Sequence, residues 1–176
     1  DNKTPGSENY IYKMSWDGRE ILDEGTLVYT GQAAEAAKIY KINGTWYIFL
    51  SEWFNPDPDK PDHPDADIRD RKQIVLRSET GSIYGPYEKR IVLERGNGIL
   101  RSCCQGALVH IADGSWWYMH QLVQNSKTPF QGRPQMLQPV EWIDGYAHRL
   151  FSQIGIDDTC ELIEGRSHCG GWGCDD

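Results

Sequence analysis

The chain has 176 residues, long enough for one domain with a sizeable core. Eighteen Lys and Arg against 26 Asp and Glu give a net charge of −8 without a basic stripe, which argues against a nucleic-acid backbone as partner. No run of about 18 apolar residues occurs, so no membrane-spanning helix is expected. The 7 Trp and 9 Tyr, interleaved with polar residues, suit either β-sheet packing or a surface on which sugar rings stack.

Short aromatic and β-branched runs between turn signals dominate, and helical periodicity is almost absent. Tyr10–Trp16, Asp17-Gly18 and Glu20–Leu22 read as a hairpin. A clearer one runs Lys38–Ile42, Asn43-Gly44, Trp46–Trp53, because Asn-Gly favours turns whose twist matches paired strands. Gln73–Ser78 and Lys89–Leu93 supply two more strands around Gly81 and Gly85-Pro86. Leu108–Ile111 and Trp116–Leu122 repeat the hairpin, and Pro134–Trp142 follows, closing at Asp144-Gly145.

The two hairpins echo each other at an offset of 70 residues, which aligns Gly44 with Gly114, Trp46 with Trp116, and Glu35 with Gln105. A fainter echo links Ser15-Trp16-Asp17-Gly18 to Glu141-Trp142-Ile143-Asp144-Gly145. Repeated four-stranded units predict propeller blades. One blade spans about 36–93, a second starts near 105, and 10–30 forms the outer half of a preceding one. That makes roughly two and a half blades, where closure takes at least about four.

Blade topology places the starts of the first and third strands, and the loop between the second and third, at one face beside the axis. Glu35, Gln105, Arg133 and the loops 54–71 and 123–131 therefore share one mouth. Glu35 sits among Ala33, Ala34, Ala36 and Ala37, a setting that would desolvate its carboxyl and favour the protonated form, or else it is a solvated loop residue. Arg133 offers a fork for vicinal hydroxyls or a carboxylate, or a surface ion pair. Gln105 could serve a ligand or the strand backbone. His110 and His120 are expected to be packed or surface residues. The Asp- and Pro-rich stretch 55–70 carries oxygen ligands, but its spacing matches no ordered calcium loop, and a stiff solvated loop is expected.

Cys103, Cys104, Cys160, Cys169 and Cys174 are odd in number and contain no Cys-x-x-Cys pair, supporting neither a disulfide framework nor a zinc site. Cys103 and Cys104 are expected to pack in the interior. Asn2 and Asn43 fit the glycosylation sequon, though Asn43 has a turn to make. No basic-then-apolar leader follows Asp1, so a signal peptide is expected to be absent or already removed.

Glu35-Ala36 followed by Lys38-Ile39-Tyr40-Lys41-Ile42-Asn43-Gly44-Thr45-Trp46-Tyr47 resembles the third-blade motif of family 43 glycoside hydrolases. Arg77-Ser78 with Ile83-Tyr84-Gly85-Pro86-Tyr87 is similar to that family's outer hairpin. Gln105-Gly106-Ala107, Asp113-Gly114-Ser115-Trp116, Gly132-Arg133 and Leu137–Tyr146 continue the match in order, over about residues 9–146. The resemblance implies an all-β, five-bladed β-propeller of β-xylosidase or α-L-arabinofuranosidase type, of which this chain covers about two and a half blades. It implies Glu35 as the general acid and Arg133, with Gln105, lining the sugar subsite. An inverting mechanism also needs a base carboxylate roughly 6.5–9.5 Å from the acid. In the family that base is a first-blade Asp and a second-blade Asp tunes the acid; no aspartate here stands in either motif.

Ala37 and Ala147 replace prolines usual in the family, and beyond about 147 the likeness fails. The expectation is a truncated hydrolase domain over 1–147 and a divergent tail over 148–176. It would act on oligosaccharides or polysaccharides of the plant wall, impaired by the missing base; a non-catalytic sugar-binding module or an inactive fragment is the alternative. No cofactor is expected, and the sequence cannot locate an axial calcium. No nucleic-acid or membrane partner is expected. Oligomeric state stays open, as does the compartment, with an extracellular or periplasmic site favoured over the cytoplasm.

Overall fold

The computed structural model describes residues 6–53, 71–95, 100–124, 133, 135–149 and 160–161, with no helix among them. Its strands are β1 (Gly6–Ile11), β2 (Thr26–Gln32), β3 (Glu35–Ile42), β4 (Thr45–Trp53), β5 (Arg71–Ser78), β6 (Tyr87–Arg95), β7 (Leu100–His110), β8 (Trp116–Gln124), β9 (Gln135–Ile143), β10 (Tyr146–Arg149) and β11 (Cys160–Glu161). Every pairing is antiparallel. β3 to β6 form one blade, β7 to β10 a second, and β1–β2 a separate outer hairpin. The chain is thus an all-β part of a five-bladed propeller, about two and a half blades of it.

Three local details differ from the expectation. The first hairpin is wider, pairing Gly6 with Gln32, and its Glu20–Leu22 arm is reduced to a bridge between Met14 and Ile21. The outer edge of the first blade gains a fifth strand, because Cys160 and Glu161 pair with Arg95 and Glu94. Arg71, expected in a loop, opens β5 opposite Trp53. The loops 54–70 and 125–132, and the side chains of Cys103, Cys104 and the tail, lie outside the described residues.

β4 explains the packing. Its residues Tyr47 to Glu52 are all buried, so the strand is covered on both faces. Tyr47 and Phe49 point to the second blade, where they join Leu108, Tyr118 and Tyr146. Ile48 and Leu50 point the other way, against Ile11, Val28 and Tyr29 of the outer hairpin. The seam between the blades is aromatic: Phe49 lies 5.7 Å from Tyr40 and 5.9 Å from Tyr118, and Trp142 lies 5.5 Å from both Tyr47 and Trp116. Polar contacts also cross it. The Leu108 N–H donates to the Tyr40 hydroxyl at 3.0 Å, and the Tyr47 hydroxyl donates to the Gly145 carbonyl at 2.8 Å. Tyr146 is buried and donates to Glu88 with the Arg90 guanidinium 4.0 Å above its ring; burial and the Glu88 carboxylate push its pKa up to about 12. His120 stacks on Tyr118 inside, and His110 stacks on Trp116 at the surface.

Phe49→Ala should therefore cost about 3–5 kcal/mol by chemical denaturation, since an aromatic ring is lost from a site with no room to collapse. Trp16→Ser, at a fully exposed turn, should stay within about 0.5 kcal/mol of the parent.

Candidate active site

The repeat is offset by 70 residues along the second strand of each hairpin but by 69 along the first. Ile48 pairs with Ile39, and its counterpart Tyr118 pairs with Leu108. The difference arises in the turns: Asn43-Gly44 joins Ile42 to Thr45, whereas a residue more separates Ile111 from Ser115. Glu35, opposite Ser51, therefore corresponds structurally to Cys104, opposite Gln121. Gln105 corresponds to Ala36. Both sit in a β-bulge and both adopt left-handed backbone angles, φ 55° and 57°. Bulges re-aim side chains, and non-glycine residues at such angles cost about 1–3 kcal/mol.

This one-residue step lets the two side chains meet. Glu35 emerges before its bulge and Gln105 from within the next one, and the Gln105 Nε2 donates to Glu35 Oε1 at 2.8 Å. Gln105 Oε1 in turn accepts from Gln121 Nε2 at 2.6 Å. Gln105 thus serves neither strand backbone nor solvent alone, but links blades. Below it, Gln73 is fully buried, donating to the Leu50 carbonyl at 2.8 Å and accepting from the Gly106 N–H at 3.3 Å. Gly106 is required there, because a Cβ would lie 2.1 Å from the Tyr118 ring.

The carboxyl environment differs from the apolar pocket expected from the flanking alanines. The Glu35 side chain is 46% exposed, and its nearest charge is Arg71 Nη1 at 3.1 Å from Oε1. Arg71 reaches across the end of β4, 5.9 Å over the Trp53 ring, and also donates to the Ala33 carbonyl at 3.1 Å. Small neighbours leave room, and here a guanidinium from the third strand occupies part of it. Sequence reading missed Arg71 because it follows a Pro- and Asp-rich stretch. The usable signal was the Arg-x-Gln spacing shared by Arg71–Gln73 and Arg133–Gln135.

Gln73 pairs with Ser51 and Gln135 with Gln121, so Arg133 occupies in the second blade the position of Arg71 in the first. Cys104 stands in the second blade at the register position that Glu35 holds in the first. Arg133 is exposed, and its carbonyl accepts from Gln135 Nε2 at 3.2 Å. The mouth thus brings Glu35 and Gln105 into contact, adds Arg71 and Gln121, and places Arg133 at the same sheet end. Among the described residues no three His, Cys, Asp or Glu side chains gather closely enough to hold a metal ion.

A second cluster lies on the other face of β4. Buried Glu52 accepts from Tyr29 at 2.7 Å and from Lys89 at 2.8 Å, with Lys72 at 3.5 Å. Burial opposes its charge, but the bonds from Lys89 and Tyr29 and the charges of Lys89 and Lys72 outweigh it and hold its pKa below the ordinary value. Burial and the Glu52 carboxylate raise the Tyr29 hydroxyl. Here the cluster ties the outer hairpin to the blade.

This arrangement, a carboxyl group at the axial start of an inner propeller strand with amide and guanidinium donors converging on it, suits chemistry on a polar, hydroxylated ligand. The sequence matches the model of glycosyl hydrolases family 43 over residues 1–147, and the chain belongs to that family. It is 58% identical to a β-xylosidase of Formosa agariphila over 163 residues, covering 92% of this chain and 26% of that protein. Solved structures agree in fold. A GH43 glycoside hydrolase engineered to display both endo-xylanase and exo-arabinofuranosidase activity matches with TM-score 0.63 and 29% identity, over 95% of this chain and 30% of that one. A xylan β-1,4-xylosidase of Bacillus halodurans matches with TM-score 0.60 and 21% identity, over 78% and 26%. The chain spans about a quarter of the length of the curated relatives it matches.

The lowered Glu52 pKa makes a stability prediction. A depressed folded-state value contributes stability that is present above the unfolded value near 4.5 and lost as pH falls through the folded one. Thermal denaturation followed downward from pH 7 should show this loss below about pH 4.5, and Glu52→Gln should flatten it. At neutral pH the same substitution should cost about 1.5–3 kcal/mol, the range for bonds to a charged group.

Proposed function

We propose that Glu35 is the general acid of an inverting glycosidase acting on the xylosidic or arabinofuranosidic linkages of plant-wall saccharides. The observation that carries this reading is the Glu35 carboxyl itself. It lies at the inner-strand start that the family motif assigns to the acid, held by donors from two blades and still open to solvent. In the reaction Glu35 gives its proton to the glycosidic oxygen as the bond to the anomeric carbon breaks. A base carboxylate on the opposite sugar face takes a proton from the attacking water. The chemistry needs two carboxylates and water and calls on no cofactor. Arg133 supports a sugar subsite: it repeats the Arg71 position without a corresponding carboxylate, so its fork is available to vicinal hydroxyls.

The β-xylosidase relative favours a xyloside as first substrate to test. In the full-length protein, Glu35→Gln should lower kcat on xylobiose by about 10²–10⁴-fold, the usual contribution of a positioned acid. Calorimetric binding of xylo-oligosaccharides that survives Glu35→Gln, with no hydrolysis by the parent, would identify a sugar-binding module instead. The 176-residue chain alone should be weakly active or inactive on aryl xylosides, because none of its aspartates stands in the base motif. Turnover by this chain that Glu35→Gln abolishes would contradict that.

A further inference from the structure

The ion pair and the hydrogen bond that hold Glu35 act on the same atom. Arg71 Nη1 lies 3.1 Å and Gln105 Nε2 2.8 Å from Oε1, while Oε2 takes no hydrogen bond among the described residues. Resting on the acid role proposed for Glu35, we infer that Arg71 and Gln121 are positioning residues that pin Oε1 and leave Oε2 to carry the transferable proton. An oxygen that accepts the Gln105 N–H and faces a guanidinium 3.1 Å away is the less favourable of the two to bear the acidic proton. The free oxygen is the one that can face a leaving group.

Each residue has a separate part. Among the described residues, Arg71 is held by the Glu35 oxygen, the Ala33 carbonyl and the Trp53 ring. Ala33 and Ala36 both have left-handed backbone angles, φ 46° and 57°, so the acid sits on a folded segment whose start Arg71 also holds. Its positive charge balances the carboxylate that Glu35 becomes once its proton has passed to the leaving oxygen. Gln121 decides the orientation of the Gln105 amide. By donating to Gln105 Oε1 at 2.6 Å it turns the opposite end, the NH₂, toward Glu35. With that amide reversed, two acceptor oxygens would face each other whenever Glu35 is ionised, and a protonated Glu35 would spend its proton on Gln105.

The test compares leaving groups in the full-length protein, because a misplaced acid slows substrates that need protonation and spares those that do not. Kinetics on xylobiose and on a dinitrophenyl xyloside would be measured for Glu35→Gln, Arg71→Met, Arg71→Lys, Gln121→Glu and Gln121→Leu. Gln121→Glu is close to isosteric and accepts from the Gln105 amide, reversing it. The expected result is a fall in kcat on xylobiose of about 10–100-fold for Arg71→Met and Gln121→Glu, part of the full acid effect. KM should stay near the parent value, kcat on the dinitrophenyl substrate should fall no more than about threefold, and Arg71→Lys should recover part of the loss. Arg71→Lys and Gln121→Leu carry the comparison if a partner variant does not fold. Equal losses on both substrates, or none, for variants that fold overturn the positioning role while Glu35→Gln still shows the split. If Glu35→Gln itself shows no dependence on leaving group, the acid assignment fails and this inference falls with it.

Discussion

The aromatic seam between the two blades is the constraint on which the site depends. Tyr40, Phe49, Tyr118, Trp116, Tyr47 and Trp142 interlock at 5.5–5.9 Å, and their hydroxyls and ring faces leave few alternative arrangements. Large rings of defined shape fix the angle between two sheets more tightly than aliphatic side chains would. At the axial end of this seam lies the Gln73 amide, wedged between the Leu50 carbonyl and the Gly106 N–H. Glu35 and Gln105 emerge just above it, one from each sheet.

The two blades share a plan and differ where chemistry is concentrated. An Arg-x-Gln run leads into each third strand, reaching Gln73 in β5 and Gln135 at the start of β9, and each inner strand bulges at the same place. The first blade has Glu35 before its bulge and an alanine within it. The second has Cys104 before and Gln105 within. A single repeated scaffold so yields an arginine engaged with a carboxylate in one blade and an exposed arginine in the next.

Much of this was legible in the sequence because hairpin chemistry is local. Asn43-Gly44 and Asp113-Gly114 are turn pairs whose glycines take positive φ, and the runs beside them alternate as strands do. The blade count could be read from that pattern, whereas the contact between Glu35 and Gln105 could not. The structural equivalence was misjudged by one residue, because an additional turn residue at the far end of the second hairpin is invisible to an alignment anchored on the glycines. Arg71 and Gln121 were missed for another reason. Their roles depend on which side chain reaches across a neighbouring strand, and that depends on register and bulge rather than composition. The alanines around Glu35 suggested an apolar pocket, but small residues define only available space, and a long cation from β5 entered it.

The Gln105–Glu35 bond crosses the boundary between the two blade sheets, which share no strand pairing among the described residues. A change in the angle between the blades is therefore felt directly at Glu35 through the Gln105 amide. Substitutions deep in the seam, far from any ligand, would rotate that amide before they melt either sheet. Misalignment of about 1 Å can cost about 10²-fold in rate. Repacking the seam is thus a way to tune Glu35 without touching it.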